Sequence, residues 1–108
     1  EKSLSLRRWL TPFLLLLLPA IVTAQLINEF EPNPPGGDPG MVSVELLGTP
    51  GVSFSGFLIS IESDSGNPGV IDRSAAVSGT FDANGLLVVS IPDLENPSFT
   101  LVLSSASP

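Results

Sequence analysis

The chain of 108 residues contains no cysteine, no histidine and no tyrosine, and only four cationic residues. Each absence removes a class of chemistry. Without cysteine there are no disulfides and no thiol nucleophile. Without histidine there is no imidazole base, and neither an imidazole nor a thiolate metal site can be built. The one lysine, Lys2, sits near the start with Arg7 and Arg8, so beyond residue 24 the sole cation is Arg73. One arginine supplies no Schiff-base amine, no phosphate-cradling lysine and no clustered basic surface of the kind that releases counterions from nucleic acid. Direct nucleic-acid binding and adsorption to anionic lipid are both disfavoured. No glycine-rich phosphate loop is spelled. The single tryptophan, Trp9, belongs to the leading segment and offers no ligand platform.

What is present begins with an apolar run, Trp9 to Val22, containing five consecutive leucines from Leu14 to Leu18. The basic residues before it and the small-residue exit Val22-Thr23-Ala24 complete the three parts of a secretory signal peptide, with cleavage expected after Ala24. A bilayer-spanning helix needs about 20 apolar residues. This run is shorter and carries Pro12 and Pro19, so a retained anchor is the alternative rather than the first reading. The division is a signal peptide over 1–24 and one domain over 25–108, with no membrane contact after cleavage.

The domain of 84 residues holds Arg73 against ten acids, a net charge of −9. A chain of this size buries only about 60–65% of its unfolded surface, and with no cross-links its stability has to come from packing. Short apolar runs separated by Gly, Pro, Asn and Asp punctuate it throughout, the pattern of an all-β sandwich or barrel. Gln25 to Phe30 is a first strand whose apolar residues Leu26, Ile27 and Phe30 fall on both faces. Pro32 to Gly40, with four prolines and three glycines, is a rigid loop. Val42, Val44 and Leu46 alternate with Ser43 and Glu45, giving a half-buried strand, and Gly48 to Gly51 turns the chain.

In the next run Val52 and Phe54 share one parity, whereas Phe57, Ile59 and Ile61 share the other. A β-bulge at Gly56 would bring all five to the core face. Val70 to Ala76 reads as a poor edge strand. Asp82-Ala83-Asn84-Gly85 spells a hairpin loop with glycine at a positive φ. As a ladder, that hairpin pairs Asp82 with Leu86, Phe81 with Leu87, Gly79 with Val89 and Val77 with Ile91. Leu86 and Val88 are apolar as well, so this strand is expected to be central and covered on both faces. Pro92 ends it, and a last strand points Phe99, Leu101 and Leu103 inward. Phe30, Phe54, Phe57, Phe81 and Phe99 are all expected in the core.

Only carboxylates remain as acids or bases, and no catalytic residue is assigned. Calcium is the one cofactor they suit, because it takes oxygen ligands. The candidate ligands are Glu62, Asp64, Asn67 and Asp72, with Glu29, Glu31 and Asp38 around the proline-rich loop as a second group. The competing reading is that these acids and Asn67 cap turns and stay solvated.

Ile27-Asn28-Glu29-Phe30, then Asn33-Pro34 and Gly36, then Val44-Glu45-Leu46 and Phe54-Ser55-Gly56-Phe57-Leu58-Ile59, together resemble the opening half of a lamin-tail (LTD) domain over residues 26 to 61. In that family an I-N-E strand and an N-P loop lead to an E-L strand and an L-S-G-W-x-L strand. Here Phe57 replaces the common tryptophan, and Leu47-Gly48 stands where an aromatic residue and asparagine often follow the E-L pair. The resemblance implies an immunoglobulin-like β-sandwich without catalysis of its own, found in nuclear lamins and as an extracellular module, often beside nuclease or phosphoesterase domains. The leader favours the secreted kind, and the lack of heptads disfavours a lamin. The chain ends before the family's closing strands would be complete, which leaves open a full sandwich or one short of its last strand. The expected function is a secreted, non-enzymatic module for protein interaction or adhesion, bound by a protein partner or by other domains of a longer chain. The alternatives are an N-terminal accessory domain of a longer secreted hydrolase and a calcium-dependent matrix or surface protein.

Overall fold

The computed structural model describes residues 24–32, 35–64, 66–94 and 98–108. The expected signal helix lies outside them. Six strands follow one another: β1 Leu26–Phe30, β2 Met41–Leu47, β3 Ser53–Glu62, β4 Ile71–Thr80, β5 Leu86–Pro92 and β6 Phe99–Ser104. They form two antiparallel three-stranded sheets, ordered β1-β2-β5 and β4-β3-β6. The described residues contain no helix, and the fold is all-β and sandwich-like.

The alternation of β2 is what seeds the core. Val42, Val44 and Leu46 are buried from one sheet and meet Leu58 and Val77 of the other, with Phe81, Val89, Ile91 and Leu94 completing the cluster. At about 25 cal/mol per Å² of apolar surface removed from water, burial of these side chains is the main force holding the sheets together. Two tilted aromatic pairs bridge them: Phe30 with Phe99 at 6.0 Å and Phe54 with Phe81 at 6.1 Å between ring centres.

The two-faced pattern of β1 has a local cause. Ile27 opposes Leu46 and Phe30 opposes Val44, with a register shift between Ile27 and Glu29. That irregularity turns Ile27 and Phe30 to the same side, and both pack on the core.

Three sequence expectations are corrected. The bulge at Gly56 does not form: β3 pairs with β4 without interruption from Ser53 to Ser60, and the register shifts only between Ser60 and Ile61, where Asp72 is the extra residue. Core-facing positions on β3 are therefore Phe54, Gly56, Leu58 and Ser60, while Phe57, Ile59 and Ile61 share the outer face and Val52 is exposed. Phe57 is the one expected core phenylalanine that faces outward. Pattern reading failed here because β3 is the middle strand of its sheet. On that outer face Ile59 lies between Ser74 of β4 and Val102 of β6 and is nonetheless 7% exposed, against 2% for the core-facing Leu58.

The second correction concerns the hairpin, whose turn forms but whose ladder does not. Gly85 has φ of +80°, its amide donates to the Asp82 carbonyl, and the Asp82 amide donates to the Leu86 carbonyl at 2.9 Å. Asp82 Oδ1 accepts from the amides of Asn84 at 2.8 Å and Leu86 at 2.9 Å. Beyond the turn, β4 and β5 separate into different sheets, so Gly79–Val89 and Val77–Ile91 are not ladder pairs. The facing side chains still meet across the core.

Third, β5 is an edge strand and not a central one, and Val88 is 62% exposed. The poor edge strand expected over Val70 to Ala76 is the first part of β4, which is indeed at an edge and runs on to Thr80.

Because one carboxylate oxygen organises two amides of the β4–β5 turn, Asp82→Ala is expected to cost about 1–2 kcal/mol. A lower urea midpoint at unchanged slope would report it; an unchanged midpoint would mean that the turn needs no side-chain acceptor.

Candidate functional site

The calcium candidates come to rest in different surroundings. Glu62 closes β3, and the chain returns through a loop pinned by Gly69 N–H to the Glu62 carbonyl and Glu62 N–H to the Val70 carbonyl. Asp64 Oδ1 accepts from the Gly66 amide at 3.2 Å, an Asx turn. Glu62 Oε1 and Asp64 Oδ1 both face Gly66, lying 3.6 and 3.8 Å from where a β-carbon would be. Asn67 contributes its backbone carbonyl to Val70 N–H, and its side chain is exposed. Asp72, on β4, turns to Arg73 Nε at 3.4 Å.

The second acidic group divides as well. Glu29 and Glu31 border one shallow depression with Ser43, Glu45 and Val88 on the outer face of the first sheet, whereas Asp38 is an exposed loop residue outside it. Glu29 stands directly opposite Glu45, a repulsive arrangement in a ladder. The Asn28 side-chain amide donates to Glu45 Oε1 at 2.6 Å, which disperses part of that charge. Glu45 was missed as a member of this group because pattern alone places it only on the polar face of β2; the register of β1 brings it beside Glu29.

Among the described residues no three acidic side chains form a group that could hold a metal ion. The melting temperature is therefore expected to be the same in calcium and in chelator. A large upward shift in calcium would show that ligand binding gathers the loop acids into a site.

A different feature concerns the sheet edges. The β1 edge is irregular and carries Glu29. The β4 edge carries Asp72, Arg73 and a register shift, and at β5 only the terminal Pro92 interrupts an otherwise uncharged, regular edge. Charge, irregularity and proline discourage strand addition. The sixth strand, Phe99-Thr100-Leu101-Val102-Leu103-Ser104, has no charge, no proline and no register shift, and among the described residues it pairs only with β3. Leu101 and Leu103 pack on the core from its inner side. On the outer side Val102 lies opposite Ile59, extending an apolar stripe with Phe57 and Ile61. An edge of this kind presents unpaired backbone groups flanked by apolar side chains on both faces, which is the geometry that accepts another extended chain. Compared with protein-family models, with curated proteins and with solved structures, the chain matches none of them.

Proposed function

We propose that this chain is a secreted, non-enzymatic β-sandwich of the immunoglobulin-like, lamin-tail type that acts as an interaction or adhesion module, and that it engages an extended segment of a protein partner along β6. The single observation that carries the reading is the β6 edge, which among the described residues has no charge, no proline, no register shift and no second partner strand, and has apolar side chains on both faces. Strand order supports the finer fold type. In an immunoglobulin variable-type sandwich, strands A, B and E share one sheet while C′, C and F share the other. Lettered in chain order, β1-β2-β5 and β4-β3-β6 correspond to those sets. In that arrangement a further strand lies beside F, which is the position of the β6 edge that carries no second strand among the described residues. The leader composition supports secretion, and the absence of histidine and cysteine supports a role without catalysis.

The test is strand addition with a defined probe, a ten-residue peptide alternating valine and threonine with a lysine at each end. Binding is expected to slow hydrogen exchange at β6 amides selectively, and Val102→Lys, which places a charge on the edge strand, is expected to abolish it. Equal binding by the variant, or protection on β1 or β5 instead, would remove β6 as the docking edge.

A further inference from the structure

Between the sheets, on the side where β4 faces β5, lies a recess of about 200 Å³. The apolar part of its wall is Leu58, Ala75, Ile91, Pro92 and Leu94. It exists because β4 presents small Ala75 and then Arg73 to the core side, where the opposite flank of the sandwich is filled by the Phe30–Phe99 pair. Ser60, Arg73 and Ser74 are the polar members of its lining. Ser60 is 1% exposed, and its hydroxyl has no hydrogen-bond partner. Arg73, the only cation after residue 24, is the direct cross-strand partner of Ser60 and shares its face of the sheet. Opposed side chains in a ladder start about 5 Å apart, and both residues line the recess.

Neither group is explained by stability. A buried hydroxyl without a partner is unfavourable, and the contact of Arg73 with Asp72 is a single 3.4 Å approach with the arginine side chain 48% exposed. An exposed pair of this kind holds its partners weakly, which leaves the terminal guanidinium donors available. A buried O–H donor and an arginine fork beside each other are complementary to a carboxylate. The space behind them is larger than the ~150 Å³ apolar cavity that accommodates benzene in another protein. We infer that the recess binds a small monocarboxylate with an apolar body, its carboxylate oxygens accepting from Ser60 Oγ–H and Arg73 and its carbon chain lying against Leu58, Ile91 and Leu94. This site is separate from the β6 edge, which lies at the far margin of the same sheet.

The experiment titrates the full chain at physiological ionic strength with three ligands of one chain length, hexanoate, 1-hexanol and hexylamine, read by amide NMR shifts. Hexanoate is expected to saturate with a dissociation constant on the order of 1 mM, with shifts centred on Leu58, Ser60, Arg73 and Ile91. Arg73→Gln is expected to weaken it about tenfold or more, as loss of a charge-assisted hydrogen bond requires. Ser60→Ala is expected to weaken it severalfold without lowering the melting temperature, because the hydroxyl has nothing to lose in the free protein. The inference is overturned if hexanoate gives no saturable shift, if 1-hexanol or hexylamine binds as tightly, if Arg73→Gln leaves affinity unchanged, or if the shifts map to the outer sheet face. A lower melting temperature for Ser60→Ala would also overturn it, since the hydroxyl would then have a structural partner.

Discussion

Phe81→Ala is expected to lower the melting temperature by more than about 15 °C and to leave much of the chain unfolded at 37 °C. Among the described residues Phe81 is the largest fully buried side chain. It lies between β4 and β5 in the segment that carries the chain from one sheet to the other, and its ring packs against Phe54. Its backbone is tied on both sides, donating to the Val52 carbonyl at 3.0 Å and accepting from the Gly51 amide at 2.9 Å. Truncating a buried phenylalanine costs about 3–5 kcal/mol, a large part of the ~5–15 kcal/mol that holds a domain folded. A domain of this size loses about 4–8 °C per kcal/mol. Gly48 reports on the same ring from the other side: a β-carbon there would lie within the Phe81 ring edge. Gly48→Ala is therefore unfavourable, and its cost should shrink in a Phe81→Leu background if ring contact is the cause. A circular-dichroism melt of Phe81→Ala that moves by only a few degrees would mean that the two sheets hold without this bridge.

Gly56→Val is the second large effect, at about 3 kcal/mol. The glycine sits inside β3, facing the core. A β-carbon would stand 2.5 Å from the Ser104 carbonyl oxygen and 2.7 Å from Phe54 Cζ. The phenyl ring can rotate away, but the carbonyl belongs to the end of β6, whose Ser104 pairs with Phe57, so relief requires that strand end to move. The positive-φ glycines of the described residues are Gly36, Gly40, Gly51, Gly69 and Gly85, and Gly56 is not among them. Close approach, rather than backbone conformation, is the reason for glycine. Gly56→Ala separates the two causes, because it adds only the β-carbon: if approach is the cause, alanine accounts for most of the loss seen with valine. Hydrogen exchange should quicken at the C-terminal end of β6 before the rest of the sheet. Alanine tolerated without loss would sink the close-approach account.

The legible parts of the fold were those set within a few residues. Val42 to Leu46 announced a half-buried strand by its alternation, and it is the central strand of its sheet. Asp82 to Gly85 announced a turn through one carboxylate acceptor and one glycine, and both act as expected. Phe99, Leu101 and Leu103 were assigned inward and pack on the core. The less legible parts were those where apolar residues occupy both parities. In Phe57-Leu58-Ile59 no alternation distinguishes inside from outside, and the choice falls to the neighbours: Leu58 joins the core cluster with the β2 valines, while Ile59 stands on the outer face between Ser74 and Val102. In Leu86 to Val89 the same run was read as a doubly covered strand, although β5 lies at an edge and leaves Val88 in solvent.

Residue content by itself determined which side-chain chemistries residues 25–108 carry and the all-β class of their fold. With one cation and neither histidine nor cysteine, residues 25–108 carry no clustered basic surface, imidazole or thiol whatever their fold, because no arrangement supplies a functional group that a segment lacks. Short alternating runs between turn residues likewise determine strands, because both signals act over a few bonds. Tertiary structure alone decided which strand stands beside which, and hence every feature that depends on two distant segments. It placed Arg73 opposite Ser60 beside a recess between the sheets, set Glu45 beside Glu29, brought the Ser104 carbonyl against Gly56 and, among the described residues, gave β6 only β3 as a neighbour. The physical reason is that sheet pairing is non-local. Local pattern says which face of a strand is apolar, but the partner of that face is chosen by the packing of the whole chain.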